Sequence, residues 1–162
     1  MKKLLFVILI ISAAIGSGYG QSENLKFALR YSIKNNYFET VNSATNHKMG
    51  VAKGTGIALL KSGTTINVDV FFIYDYINGA GTFIENYVLN FSNNSKITIR
   101  ADGISYGSES DPLFTATLTI TGGTGEYTGI KGSGKLNGDR RQALKENTIV
   151  NMDFDIDYKI EK

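Results

Sequence analysis

Few side chains in this sequence are equipped for chemistry. A single histidine, His47, would have to carry any Ser/His/Asp relay. Cysteine is absent, which removes disulfides, thiolate metal sites, a Cys nucleophile and a cysteine-borne lipid anchor. His47 lies in the polar stretch Asn42-Ser-Ala-Thr-Asn-His-Lys48 and reads as an exposed loop residue rather than a catalytic base. Asp153, Asp155 and Asp157 fall on one face of an alternating run, opposite Met152, Phe154, Ile156, Tyr158 and Ile160. Three carboxylates in a row invite calcium, but same-face neighbours on a strand stand about 7 Å apart, too far for one ion to engage all three easily. They read as a solvated face that resists edge pairing, and no metal site is expected. Arg30, Ser32 and Lys34 share the polar phase of another run. Turned inward they would hold a carboxylate or phenolate; turned outward they are a solvated face, and both orientations stay open. Asn90-Phe-Ser92 and Asn93-Asn-Ser95 match the glycosylation acceptor, which matters only in a eukaryotic secretory pathway.

The densest local signal is Thr121-Gly-Gly-Thr-Gly-Glu-Tyr-Thr-Gly-Ile-Lys-Gly-Ser-Gly-Lys-Leu136. Gly129 to Lys135 has the spacing of a phosphate loop. However, Leu136 stands where a hydroxyl must hold magnesium, and no helix is expected to follow. The dinucleotide spacing fails too, since Thr128 stands where the third glycine belongs. Gly122, Gly123, Gly125, Gly129, Gly132 and Gly134 therefore read as structural, giving positive φ and close backbone approach at a tight barrel corner.

The segments that must position these groups are strands. Leu25, Phe27, Leu29, Tyr31 and Ile33 alternate with polar residues, and Ile66, Val68, Val70, Phe72 and Tyr74 share one face of Thr64 to Tyr74. That second run also becomes apolar on its other face, at Phe71 and Ile73. Phe83, Glu85, Tyr87, Leu89 and Phe91 are in phase, as are Ile97 and Ile99, and then Phe114, Ala116, Leu118 and Ile120. The last strand spans Thr148 to Ile160. Asp139 to Asn147 is the best helical candidate and is short and polar, so it reads as a loop or a single turn. About eight strands with short turns predict a sandwich or a closed barrel. Strands apolar on both faces predict an outer wall covered by sister subunits.

Residues 1–20 read as a secretory signal peptide: Lys2 and Lys3, an apolar run from Leu4 to Ile15, then small residues at Gly16, Ser17, Gly18 and Gly20. That run is shorter than the roughly 20 residues a bilayer span needs. Cleavage after Gly20 leaves Gln21 first, and residues 21–162 form one domain without a membrane anchor. Losing Lys2 and Lys3 takes the 17 basic residues to 15, equal to the 15 acidic ones, so the mature chain is formally neutral. Neutrality gives no electrostatic reason to expect nucleic acid.

The stretch from Leu118 to Leu136 resembles the late-strand signature of the allene oxide cyclase and dirigent barrels: an apolar strand, Gly122-Gly-Thr-Gly125, the aromatic Tyr127 and further glycines. Upstream, Tyr87-Val-Leu-Asn-Phe91 with Lys96-Ile-Thr-Ile99 is similar to the preceding strand pair. Gly50-Val-Ala-Lys-Gly54-Thr-Gly56 with Ile57-Ala-Leu-Leu60 is similar to an earlier one. The resemblance covers about residues 25 to 160. It implies an all-β, eight-stranded antiparallel barrel with a cavity, commonly a trimer. In the plant cyclases a Glu and an Asn project inward from a first strand of pattern Y-E-I-N. Here Tyr31-Ser-Ile-Lys34 puts Ser32 and Lys34 at those positions. The cyclases' cavity cysteine falls on Gly56, and their cavity tyrosine corresponds to Tyr106 with a one-residue loop shift. Without the carboxylate, the charge balance of a cationic cyclisation is lost.

The sequence thus predicts a secreted or periplasmic homo-oligomeric barrel that binds a small, partly apolar molecule with a carboxylate or phenol end. Arg30, Ser32, Lys34, Gly56 and Tyr106 are its expected cavity residues, and no cofactor is called for. The alternatives are an isomerase, cyclase or dirigent-like enzyme with a rearranged site, and a structural protein whose barrel is filled by side chains. An acid inside the cavity, Glu85 or Asp69, would favour the enzyme; a plug of Phe and Tyr would favour the structural protein.

Overall fold

The computed structural model describes residues 22–161, so the signal-peptide expectation for residues 1–20 lies outside the described residues. Eight strands follow one another: β1 (Glu23–Asn42), β2 (His47–Leu60), β3 (Thr65–Ile77), β4 (Ala80–Asn90), β5 (Lys96–Ser108), β6 (Asp111–Thr124), β7 (Ile130–Arg140) and β8 (Ile149–Ile160). Each pairs antiparallel with the next, and β1 pairs with β8 to close the barrel. Closure removes the free edges that an open sheet would expose. Along the seam Phe27 faces Phe154, their rings stacked with centroids 4.3 Å apart, and Tyr31 faces Val150.

The alternation read from the sequence is the inside–outside alternation of this wall. Phe27, Leu29, Tyr31, Ile33, Ile66, Val68, Val70, Phe72, Phe83, Leu89, Leu118 and Ile156 are buried in one continuous core. Two features modify the pattern. A register shift between Ile33 and Asn35 swaps the phase of β1, so Asn36 takes the inner side that Ile33 held before it. The inner positions of β2, from Gly50 through Ala52, Gly54 and Gly56 to Ala58, carry nothing larger than a methyl. Rings from neighbouring strands lie over that bare strip, Tyr31 against Gly54 and Gly56, and Tyr74 against Gly50.

The outer wall is uneven. On β2 and β3 it exposes Val51, Ile57, Leu59, Phe71 and Ile73. On β6 to β8 it carries Thr117, Lys135, Asp153 and Asp155, with Asp155 bonded to Lys26 and Asn24. Asp139 and Arg140 end β7, and residues 141–148 form the loop expected there.

The glycine-rich segment makes a 3-10 turn at Gly125–Tyr127 and continues into β7, with no helix that would complete a nucleotide motif. Gly125 and Gly129 adopt φ of 62° and 82°, the left-handed region that penalises a side chain. At Gly134 a Cβ would press on the Asp155 carbonyl and Ile156 Cα of β8, whereas at Gly122 it would meet open space. Gly134→Ala is therefore expected to lower stability by about 1–3 kcal/mol through overpacking. Gly122→Ala should stay within about 0.5 kcal/mol of the parent. Urea unfolding of the pair tests this, and equal losses would contradict the packing described.

Candidate functional site

Strand β4 sends every second side chain inward, and between Phe83 and Tyr87 the inward residue is Glu85. Only 3% of it is exposed. A buried carboxyl must find donors, and two phenols supply them. Tyr31 OH donates to Oε1 at 2.9 Å, and Tyr87 OH donates to Oε2. Burial outweighs these bonds and pushes the Glu85 carboxyl up to about 7, while the phenols, by favouring the charged form, pull it back down. Burial and the neighbouring acid raise Tyr31 and Tyr87 well above the usual tyrosine range. No cation lies within ion-pair distance of Glu85 among the described residues.

Above this cluster the barrel opens toward the end framed by residues 43–46, 78–79, 109–110 and 141–148. Arg140, the last residue of β7, points in at the floor of that mouth with 2% of its surface exposed. Its Nε donates to the Gln142 carbonyl at 2.6 Å and its Nη2 to the Glu109 carbonyl at 3.1 Å, and its guanidinium lies 5.8 Å from the Phe114 ring centroid. Burial lowers its pKa. The Glu109 carboxylate is already engaged by Lys48 at 2.8 Å and Asn46 at 2.9 Å. Tyr74 and Tyr76 stack beside the guanidinium with centroids 4.8 Å apart, and Tyr74 OH donates to Asn36 Oδ1.

The remaining space at the mouth is about 20 Å³, room for one water. Residues 141–148 roof it: Asn147 N–H donates to the Ile33 carbonyl, Ile33 N–H to the Thr148 carbonyl, and Asn36 Nδ2 to the Leu144 carbonyl.

The expected cavity residues do not gather in this interior. Arg30 and Lys34 are exposed and Ser32 half-buried on the outer wall, because the inner phase of β1 belongs to Leu29, Tyr31 and Ile33. Tyr106 also faces outward, 46% exposed, near the end of β5. Gly56 does face inward, and its role there is to make room for Tyr31. Arg30, Ser32 and Gly56 share a groove on the outer wall with Asn67 and Asp69. Of the two candidate acids Glu85 is inside, whereas Asp69 is outside and accepts a bond from Asn90. His47 is not in a loop. It opens β2, half-buried, with Nε2 2.6 Å from Asp75 Oδ1. Arg140 went unread because β7 alternates glycine with polar residues, a pattern without hydrophobic contrast. The signal available was Ile130, Leu136 and Arg140 falling on the same parity.

No protein-family model matches the chain, and no curated protein matches it. Among solved structures, a pterocarpan synthase dirigent protein resembles it with a TM-score of 0.53 over 98% of this chain and 100% of that one, at 14% identity. The fold is that of a dirigent-like barrel. At so low an identity the likeness speaks for the architecture, and the site must be argued from this chain's own residues.

In this barrel, Glu85 links stability to pH. Its folded pKa of about 7 exceeds the ordinary value of 4.5, so its contribution is complete below pH 4.5 and is lost as pH rises through 7. The loss amounts to about 3 kcal/mol at 1.36 kcal/mol per pH unit. Stability of the parent relative to Glu85→Gln should therefore fall across that window in urea titrations. A flat difference would show that Glu85 ionises as it does in the unfolded chain.

Proposed function

We propose that this protein is an exported dirigent-like barrel that binds a small, partly apolar molecule at its mouth, with the molecule's carboxylate or phenolic oxygen on Arg140. The observation that carries the reading is the guanidinium itself. Buried cations are usually paired with an anion, and Arg140 hydrogen-bonds only carbonyl oxygens; the Glu109 carboxylate is near enough to favour its charge but is itself bonded to Lys48 and Asn46. An anionic oxygen would complete it, and the Tyr74–Tyr76 stack beside it offers an aromatic surface for the rest of the ligand. Because the mouth holds only about 20 Å³ as it stands, entry requires residues 141–148 to lift from β1.

A second reading is an isomerase or cyclase-type enzyme, and Glu85 is the observation in its favour. Its distance from solvent makes binding the stronger of the two. A ring-filled interior also fits a purely structural barrel, which is the outcome if nothing binds.

Benzoate and its uncharged counterpart benzamide test the assignment by calorimetry. Benzoate should bind more tightly than benzamide, and Arg140→Gln should weaken benzoate at least tenfold. If neither molecule binds, the structural reading takes over.

The apolar outer wall of β2 and β3 is proposed to be covered by further copies of the chain, as a trimer. Grooves there of about 480 and 420 Å³ are lined by Val51, Phe71, Ile73 and Ile84. Native mass spectrometry of protein from its own host should find a multimer whose chains begin at Gln21, and Phe71→Glu should dissociate it. A monomer, or a chain that retains residues 1–20, would refute the corresponding part.

A further inference from the structure

We propose that Glu85, with Tyr31 and Tyr87, is a proton-operated valve: protonated, it keeps the barrel closed and dry, and ionised, it draws water in from the mouth along the bare inner face of β2. This goes beyond the ligand reading and stands whether or not a molecule takes Arg140.

Three observations carry it. First, the cluster is built around a single proton. Each carboxyl oxygen faces one phenol, so an ionised Glu85 has two donors and no counter-cation, and a protonated one must itself donate to one of the phenols. An uncompensated carboxylate in an apolar interior is costly, and water is the one further donor that can reach it.

Second, no cation pairs with Glu85 among the described residues. The titratable groups that face Glu85 are Tyr31 from β1, Tyr76 from β3 and Tyr87 from β4. Arg140 from β7 acts on Tyr31 and Tyr76 but makes no ion pair with Glu85. The inner faces of β5 and β6 carry no ionisable side chain, and that of β2 carries only Lys48, at the mouth, whose ammonium is bonded to Glu109 at 2.8 Å. That of β8 carries only Tyr158, whose hydroxyl is bonded to Glu23.

Third, there is a path. Tyr31 lies on Gly54 and Gly56, and Tyr74 lies on Gly50. The strip beneath these rings, from Gly50 to Ala58, has no side chain that would block water once Tyr31 moves. Its upper end meets the mouth, where room for one water already exists beside Tyr74, Tyr76 and Arg140.

Hydrogen exchange read by mass spectrometry between pH 5.5 and 8.5, corrected for the intrinsic rate, tests the valve on the intact mature chain. As pH rises, amides of residues 29–33 and 52–58 should lose at least tenfold more protection than those of β6, which lose only what the global destabilisation removes. Glu85→Gln should abolish the step. Tyr31→Phe removes a donor that favours the carboxylate, so it should move the step to higher pH. That sign holds the proposal to account even if Glu85→Gln fails to fold. A parent with no step, a step retained in Glu85→Gln, an unmoved or downward step in Tyr31→Phe, or equal loss of protection in β6 would each overturn it. The last of these would mean that the whole barrel is destabilised rather than opened at one place.

Discussion

A closed barrel of eight strands has a fixed internal width, and every inward side chain must share it. Here the sharing is arranged by pairing rings with glycines. Phe83 reaches into the space that Gly103 leaves, as Tyr31 does at Gly54 and Gly56. Closure of β1 onto β8 is what makes the arrangement compulsory. In an open sheet a ring could lean past the edge; inside a cylinder it can only face another strand. The bare inner strip of β2 and the crowded tyrosines of β1 and β3 are therefore one feature seen from two sides.

That feature accounts for how a carboxyl comes to be inside. Glu85 sits opposite strands that have already given up volume to Tyr31, and the two phenols reach its oxygens without displacing anything apolar. Replacing the triad by aliphatic residues would remove a desolvation penalty. What the triad adds is a titratable group at the centre of an otherwise neutral wall. The mouth follows a different logic. Arg140 ends a strand, so its guanidinium can take carbonyls from the loops on either side, at Glu109 and Gln142, and tie two loops to the floor of the opening.

Much of this was legible beforehand because period-two alternation is a direct record of which side faces the core. The phase of Leu25 to Ile33 and of Phe83 to Phe91 grouped Tyr31 and Glu85 with the apolar faces of their strands, although which face turned inward was left open and Asp69 stood beside Glu85 as a candidate interior acid. The same phase, followed strictly, also placed Arg30, Ser32 and Lys34 opposite Tyr31, and so on the outer wall. The resemblance to cyclases drew them inward instead. Other misreadings have local causes. The bulge after Ile33 swaps the phase of β1, and nothing in Lys34-Asn-Asn36 announces it. Arg140 closes a strand whose other inner residues are mostly glycine, so its periodicity carries almost no hydrophobic signal. His47 was assigned to a loop because its neighbours are polar, yet the turn before it ends at Asn46, whose φ of 48° places the last left-handed residue one position earlier.

Glu85 and Arg140, the two charge-bearing side chains buried among the described residues, are best understood as consequences of where each lies along the axis. A cation at the mouth can be served by loop carbonyls and by anything that arrives from solvent, so it keeps its charge and is suited to hold a ligand. An acid at the centre has only what the neighbouring strands provide, and those strands provide phenols, which stabilise a carboxylate less than a cation would. Its charge state is therefore the variable one. Tyr31 and Tyr76, which feel both Glu85 and Arg140, occupy the length of barrel between them. They are uncharged in the usual pH range and insulate the acid from the base. The barrel thus keeps a permanent charge and a switchable one apart in the same cylinder, which a salt bridge between them would have abolished.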